Sequence, residues 1–422
     1  MLRRLPVRPD LDQLKHQAKD LLRAIHAGDA TALAEVREHH PAPVSPSAIK
    51  LADAQLVLAR SYQASSWSRL VQAAEMVRAI WSDDIDAVRG LVTRNPKLLH
   101  EQVLIRLDSN WGPPMTYAAN LGRDRLIMML HGLGATDLQT ALGRAALQGH
   151  RGTVRMIYEM LGRPPVADDA LGGPAYTLSA DGTAVLFALG ARVRGDAGQR
   201  LAPVDVVLQT DGRNPEAKHA ILEMYVSHGF ELPDTPVMAL HRGRIDLLEA
   251  HVHNDPMLLN RTFSHREIYP AEMGCGDPLD ATVGTPLGGS TLLHMCVDYG
   301  ELEIARWLIA NGADVNAPSA VGASGFGGYT PLFCTVVSQP NFWMNYGQRG
   351  PFVAPFTELL LAHGADPSVR ASIWKRLHPG HGDPARHDYR DVTPLSWGRR
   401  FHAPIFVSEP AMRLIAEAGG IE

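Results

Sequence analysis

Only three cysteines occur in the 422 residues, Cys275, Cys296 and Cys334, and no two of them form a CxxC pair. So sparse and odd a set fits a reducing compartment better than a disulfide framework. No uncharged apolar run approaches the ~20 residues that a membrane-crossing helix needs. Positive charge is not in excess either: 40 Lys and Arg face 45 Asp and Glu, a net charge of −5. That balance argues against a dominant electrostatic grip on nucleic acid or anionic lipid. The opening MLRRLPVRPDLDQLKHQAKD carries charges with no apolar core after them, unlike a secretory signal. A nucleophile elbow, a phosphate-cradling loop and a dinucleotide fingerprint are all missing. The glycine-rich stretch 322–328 has neither the lysine nor the strand–helix setting of a phosphate loop. We therefore expect a soluble, cytoplasmic protein with neither nucleic acid nor membrane as a partner.

What is present is a repeat. The stretch 290–316, STLLHMCVDYGELEIARWLIANGADVN, sets Leu292, Leu293, Met295 and Cys296, then Ile304, Ala305, Leu308 and Ile309, at helical spacing. Gly300 divides the two helices and Gly312 ends the second, both being positions where a left-handed residue closes a helix tightly. One such helix pair cannot bury both apolar faces, so neighbours must stack. Weaker copies follow: Thr330-Pro331-Leu332-Phe333 leads to His363-Gly364-Ala365-Asp366, and Thr393-Pro394-Leu395-Ser396 leads to Gly419-Gly420. Upstream ends of the same kind are Leu133-Gly134-Ala135, Leu189-Gly190-Ala191 and His228-Gly229.

Thr291-Leu292-Leu293-His294, Gly300 and Gly312-Ala313-Asp314 together resemble the ankyrin consensus TPLHxAxxxGxxxxVxxLLxxGADVN, which recurs about every 33 residues. The resemblance implies an all-α, irregular ankyrin-repeat solenoid of about eight or nine degenerate repeats over residues 76–420. It also implies that His294 is structural and bonds the backbone of the neighbouring turn. Residues 1–75 differ. LDQLKHQAKDLL, KLADAQLVLAR and Ser66-Trp67 resemble the helical module that precedes ankyrin repeats in bacterial proteins. An array exposes an apolar face at each end, so a capping role is expected for this module. By resemblance the function is recognition of a partner, most often a protein, through the concave face and finger loops, an inference at the level of fold.

Four long inserts interrupt the later repeats, near 261–289, 317–328, 338–355 and 369–391. Long connections inside a compact array are uncommon and usually functional or disordered. These hold Phe, Trp, Tyr and Met, which is unlike a disordered composition. Three lie at the finger position between repeats, whereas 338–355 falls between the two helices of one repeat. Phe342, Trp343 and Tyr346, with Trp374 and Arg399, are the candidate partner-binding residues, since aromatics and arginine make good interface anchors. The competing reading folds the aromatics down as a lid over the inserts' own small core.

A groove walled by fingers would be a pocket, which keeps an enzymatic alternative open. His265, Glu267 and Tyr269, with Tyr389 and Arg390, offer an acid, a base, a phenol and a cation for isomerisation, elimination or hydrolysis of a small polar molecule. Hydrogen bonds that order the fingers are the plainer role for the same residues. His378, His381 and His387 bring three imidazoles into one loop and are candidate ligands for a divalent metal. Their spacing matches no metal signature, and a solvated loop accounts for them as well. No other cofactor is expected. Cys296 and Cys334 read as small core residues.

Overall fold

The computed structural model describes residues 3–106, 109–210, 212–276, 284–337, 353–377 and 383–422. It is built from short helices with one two-stranded antiparallel sheet among the described residues. No helix among the described residues is long and apolar enough to cross a membrane. The chain divides into two compact units, Met1–Pro165 and Val166–Glu422.

In the first unit the helix Leu11–His26 starts at Asp10, whose side chain accepts from the Gln13 N–H, and it buries Leu14, Ala18, Leu21 and Ile25. That stripe meets the helices Ala30–His39, Leu51–Ser61 and Trp67–Trp81. From Trp67 onward the helices come in pairs: Trp67–Trp81 with Ile85–Arg94, Pro114–Ala119 with Asp124–Gly132, and Leu138–Leu147 with Arg151–Met160. First helices pack on first helices along the series. Polar ties join successive pairs. Thr116 donates from its backbone N–H (3.0 Å) and its hydroxyl (2.5 Å) to Asp137, at the start of the next pair.

Among the described residues the second unit repeats the scheme with six pairs, from Gly172–Tyr176 and Ala180–Ala188 to Pro394–Arg400 and Glu409–Glu417. Here too first helices stack on first and second on second, as in Leu292–Tyr299 against Pro331–Cys334 and Leu302–Ala310 against Pro355–Ala362. The Gly300 C-cap is left-handed, at φ 80°. His294 is fully buried and bridges two repeats. Its Nδ1 accepts from the Thr291 N–H at 3.3 Å, so its Nε2 carries the proton and donates to the Tyr329 carbonyl at 2.9 Å. This is the structural role expected for it. In the last repeat Ser396 makes only the near half of that network, accepting from the Thr393 N–H at 2.8 Å.

Candidate functional site

Three inserts of the second unit are joined edge to edge by their backbones. In the first, Phe263 and Ser290 form an antiparallel bridge: the Phe263 N–H donates to the Ser290 carbonyl at 2.8 Å, and the Gly289 N–H to the Phe263 carbonyl at 2.7 Å. The second finger closes on itself where the Ser319 N–H meets the Tyr329 carbonyl (2.8 Å), and it reaches the first where the Ala320 N–H meets the Gly289 carbonyl (2.8 Å). Gly327 and Ser372 then exchange hydrogen bonds of 2.8 and 3.2 Å with the third finger. Gly327 has φ +129°, and a Cβ there would stand 2.1 Å from the Ala320 carbonyl oxygen. Only glycine permits that approach.

The third finger is the hairpin of β1 (Ala371–Lys375) and β2 (His387–Val392), in which Trp374 lies opposite Asp388. Alternation places Ile373 and Tyr389 inward, and Trp374, Asp388 and Arg390 outward. Outside, Arg386 stands over Trp374 (4.6 Å from guanidinium carbon to ring centroid) and over Phe326 (5.1 Å), and Arg390 stands over Phe326 at 4.2 Å. Inside, Tyr389 packs edge-on against the buried Trp397 at 4.8 Å. Its hydroxyl accepts from the His402 backbone N–H at 3.1 Å and shares a second hydrogen bond, of 2.6 Å, with His402 Nδ1. The His402 ring stacks on His387 at 3.9 Å, and His387 Nε2 lies 3.0 Å from Asp383. Partial burial, followed by the neighbouring His387, holds His402 below the ordinary histidine range.

The candidate acid–base residues fall into two separate groups. Glu267 caps its own short helix through Ser264 and pairs with Arg261 at 3.0 Å. Burial pushes its carboxyl up, but the Ser264 and Arg261 contacts outweigh that and leave it below the usual carboxylate range. His265 leans on Tyr269 at 4.9 Å, and Tyr269 is buried with its hydroxyl hydrogen-bonded to Tyr299. Burial raises the Tyr269 phenol to about 12. Tyr389 and Arg390 sit on the third finger with the partners given above, and no contact among the described residues joins them to His265, Glu267 or Tyr269. A shallow depression of about 200 Å³ elsewhere in the unit is lined by Tyr176, Asp205, Val206, Gln209 and Thr210, none of them in either group.

Trp374 is half-buried in the arginine–aromatic cluster, and Arg399 is exposed and ion-paired with Glu422. Phe342, Trp343, Tyr346, His378 and His381 lie outside the described residues. Of the proposed metal ligands only His387 is described, and no group of three or more His, Cys, Asp or Glu among the described residues is arranged to hold a metal.

Sequence reasoning missed a buried polar cluster beneath the first finger. Lys218 Nζ lies 2.8 Å from Glu301 Oε1, the same oxygen that His219 Nε2 approaches at 2.9 Å. Burial lowers the Lys218 amine, and Glu301 opposes this. Burial raises the Glu301 carboxyl, but Lys218 and His219 more than offset it and leave it below the usual range. Arg213 binds the Asp298 carboxylate and backbone carbonyl, each at 2.8 Å. Lys218 and Arg213 both face the Tyr299 ring, at 4.3 and 5.1 Å. His241 is fully buried and meets Tyr299 edge-on at 4.9 Å. The signal was present in the helix Pro215–Ser227, where Lys218, Ile221, Leu222 and Tyr225 share one buried face. A lysine on such a face demands a buried acid.

Residues 288–320 match the Ankyrin repeat family. No curated protein matches the chain. Among solved structures, the chain is similar to the human ASB11 ankyrin repeat domain, at 14% identity over 73% of this chain and 99% of that one, with a TM-score of 0.24. It is also similar to an ankyrin repeat domain from Acinetobacter baumannii AYE, at 16% identity over 67% of this chain and 100% of that one, with a TM-score of 0.23. Residues 288–320 thus carry an ankyrin repeat, and helix pairs stack before and after it in an all-α solenoid.

Proposed function

We propose that this protein binds another protein through the concave face of its repeats and through its finger loops. Ankyrin repeats are protein-interaction modules, which is the coarse basis of the reading. The observation that carries the finer statement is the row of fingers, each hydrogen-bonded through its backbone to the next. Ordered loops present side chains at little entropic cost to association, which suits a recognition surface. In the same reading residues 1–75 cap the array, and the protein works in the cytoplasm.

The test is affinity capture from the source lysate, with the recovered protein identified by mass spectrometry and the capture repeated with both proteins purified. A variant carrying Val321→Asp, Trp343→Ala and Tyr346→Ala is run beside the wild type. Val321 is 65% exposed on the second finger, so the first change leaves the core intact. A partner retained by wild type and lost by the variant supports the reading. A partner retained equally by both removes the fingers from it, and the absence of any partner in near-stoichiometric amount overturns it.

A further inference from the structure

The outer face of the third finger carries a charge pattern opposite in sign to that of the whole chain. Arg386, Asp388 and Arg390 are spaced by two residues along an extended segment, so their side chains stand on one face. Arg386 and Arg390 both turn over Phe326, and Arg386 also covers Trp374. A guanidinium on an aromatic ring is attracted by the ring's negative face and keeps its N–H edge free in a fixed plane. The Arg386 side chain is 51% exposed and that of Arg390 is 59% exposed, so these edges face solvent.

One carboxylate lies between the two cations. Asp388 is 2.7 Å from Arg386 Nε and 3.9 Å from Arg390. A guanidinium has five N–H donors and a carboxylate about four acceptor positions, so Asp388 leaves most of the donors unused. Arg400 adds a third cation, donating to the Arg390 carbonyl at 3.5 Å. The nearby Arg370 is paired with Asp391 and adds no net charge.

We propose that this face is the seat of an acidic segment of the partner protein, whose carboxylates are held by the forks of Arg386 and Arg390 over Phe326. The inference rests on the partner-binding reading and names the chemistry of the partner. Planar guanidiniums pair with carboxylates in a bidentate fashion, which supplies geometry as well as charge. Nucleic acid fits less well, because the patch is small, contains Asp388, and belongs to a chain of net charge −5 that repels an extended polyanion. Asp388 holds the place that an incoming carboxylate takes.

The experiment measures fluorescence anisotropy of a labelled oligoglutamate peptide with the full-length protein at low salt. Oligoglutamine and single-stranded oligothymidylate serve as controls. The wild type binds oligoglutamate and not oligoglutamine, and added salt weakens the binding. Arg386→Ala with Arg390→Ala lowers affinity at least about tenfold, as loss of charge-assisted hydrogen bonds predicts. Arg386→Lys with Arg390→Lys fails to restore it, because lysine keeps the charge and loses the fork. Asp388→Asn strengthens binding, which a purely structural role for the arginines would not produce. Circular dichroism and thermal melting confirm that each variant is folded.

The proposal is overturned if wild type ignores oligoglutamate, if the double alanine variant binds it equally, or if Asp388→Asn weakens it. Tighter binding of oligothymidylate than of oligoglutamate also overturns it. A captured partner that survives Arg386→Ala with Arg390→Ala but not the Val321, Trp343 and Tyr346 changes would sink the acidic-segment assignment alone. Failure to capture any partner sinks the broader reading.

Discussion

Lys218 and Glu301 face each other across 2.8 Å, and each side chain keeps only 3% of its surface exposed. A buried pair of this kind is fragile in one direction: removing one partner strands the other charge. Glu301→Gln therefore lowers stability by about 3–5 kcal/mol, read by chemical denaturation. The double change Lys218→Met with Glu301→Leu costs clearly less than Glu301→Gln alone. Equal losses in the two variants would show that the pair matters through its shape and not its charge.

His294 titrates far from its ordinary range. Burial lowers it to about 4, against 6.5 for an unperturbed histidine. The folded state thus takes up this proton more weakly than the unfolded state, so stability is full above pH 6.5 and falls as the pH drops toward 4. Between pH 7 and 5 this residue alone costs about 2 kcal/mol. His241 is also held well below 6.5 by burial and adds in the same direction. His294→Asn should be less stable than wild type at pH 7 yet lose less on going to pH 5, as measured by melting temperature.

Gly327 sets the approach of the second finger to the third. Gly327→Ala forces a side chain into the Ala320 carbonyl at a left-handed φ and should cost about 1–3 kcal/mol locally. Hydrogen exchange should quicken at Gly327, Gly328 and Ser372, while the helices Leu292–Tyr299 and Leu302–Ala310 keep their protection. Uniform acceleration across the unit would mean that the finger row is part of the global core.

The three cysteines are free and buried. Burial pushes the Cys275 and Cys334 thiols up to about 12 and holds Cys296 well above the ordinary thiol range. Thiolate is the reactive form, so none should react quickly with a thiol reagent at pH 8, and all three should react after unfolding. One fast thiol in the native protein would contradict the packing described.

The helix pairs were legible because burial imposes a period: Leu292, Leu293, Met295 and Cys296 announce a helix whatever surrounds them. Gly300 and Gly312 marked the boundaries for a stereochemical reason. The fingers were legible only as insertions. Their pairing runs through backbone groups at Gly289, Ala320, Gly327 and Ser372, and these leave no side-chain pattern to read. His265 and Tyr389 read alike as polar loop residues, but their partners differ in place: Tyr269 lies on the first finger, and His402 between the two helices of the last repeat. The apolar neighbours of Lys218 mark its burial, but its acid lies 83 positions away at Glu301 and distance in sequence conceals the pair.

The shared hydrogen bonds between fingers also bear on how this molecule can be altered. A regular repeat array can be shortened, lengthened or shuffled one unit at a time, because each unit meets its neighbours through the same helical faces. Here Gly289, Ala320, Gly327 and Ser372 lock three insertions of unequal length into one strip. Excising a single repeat from this region would leave unpaired amides and carbonyls on both sides of the cut. The later repeats are therefore one indivisible cassette for grafting, to be moved whole or left in place.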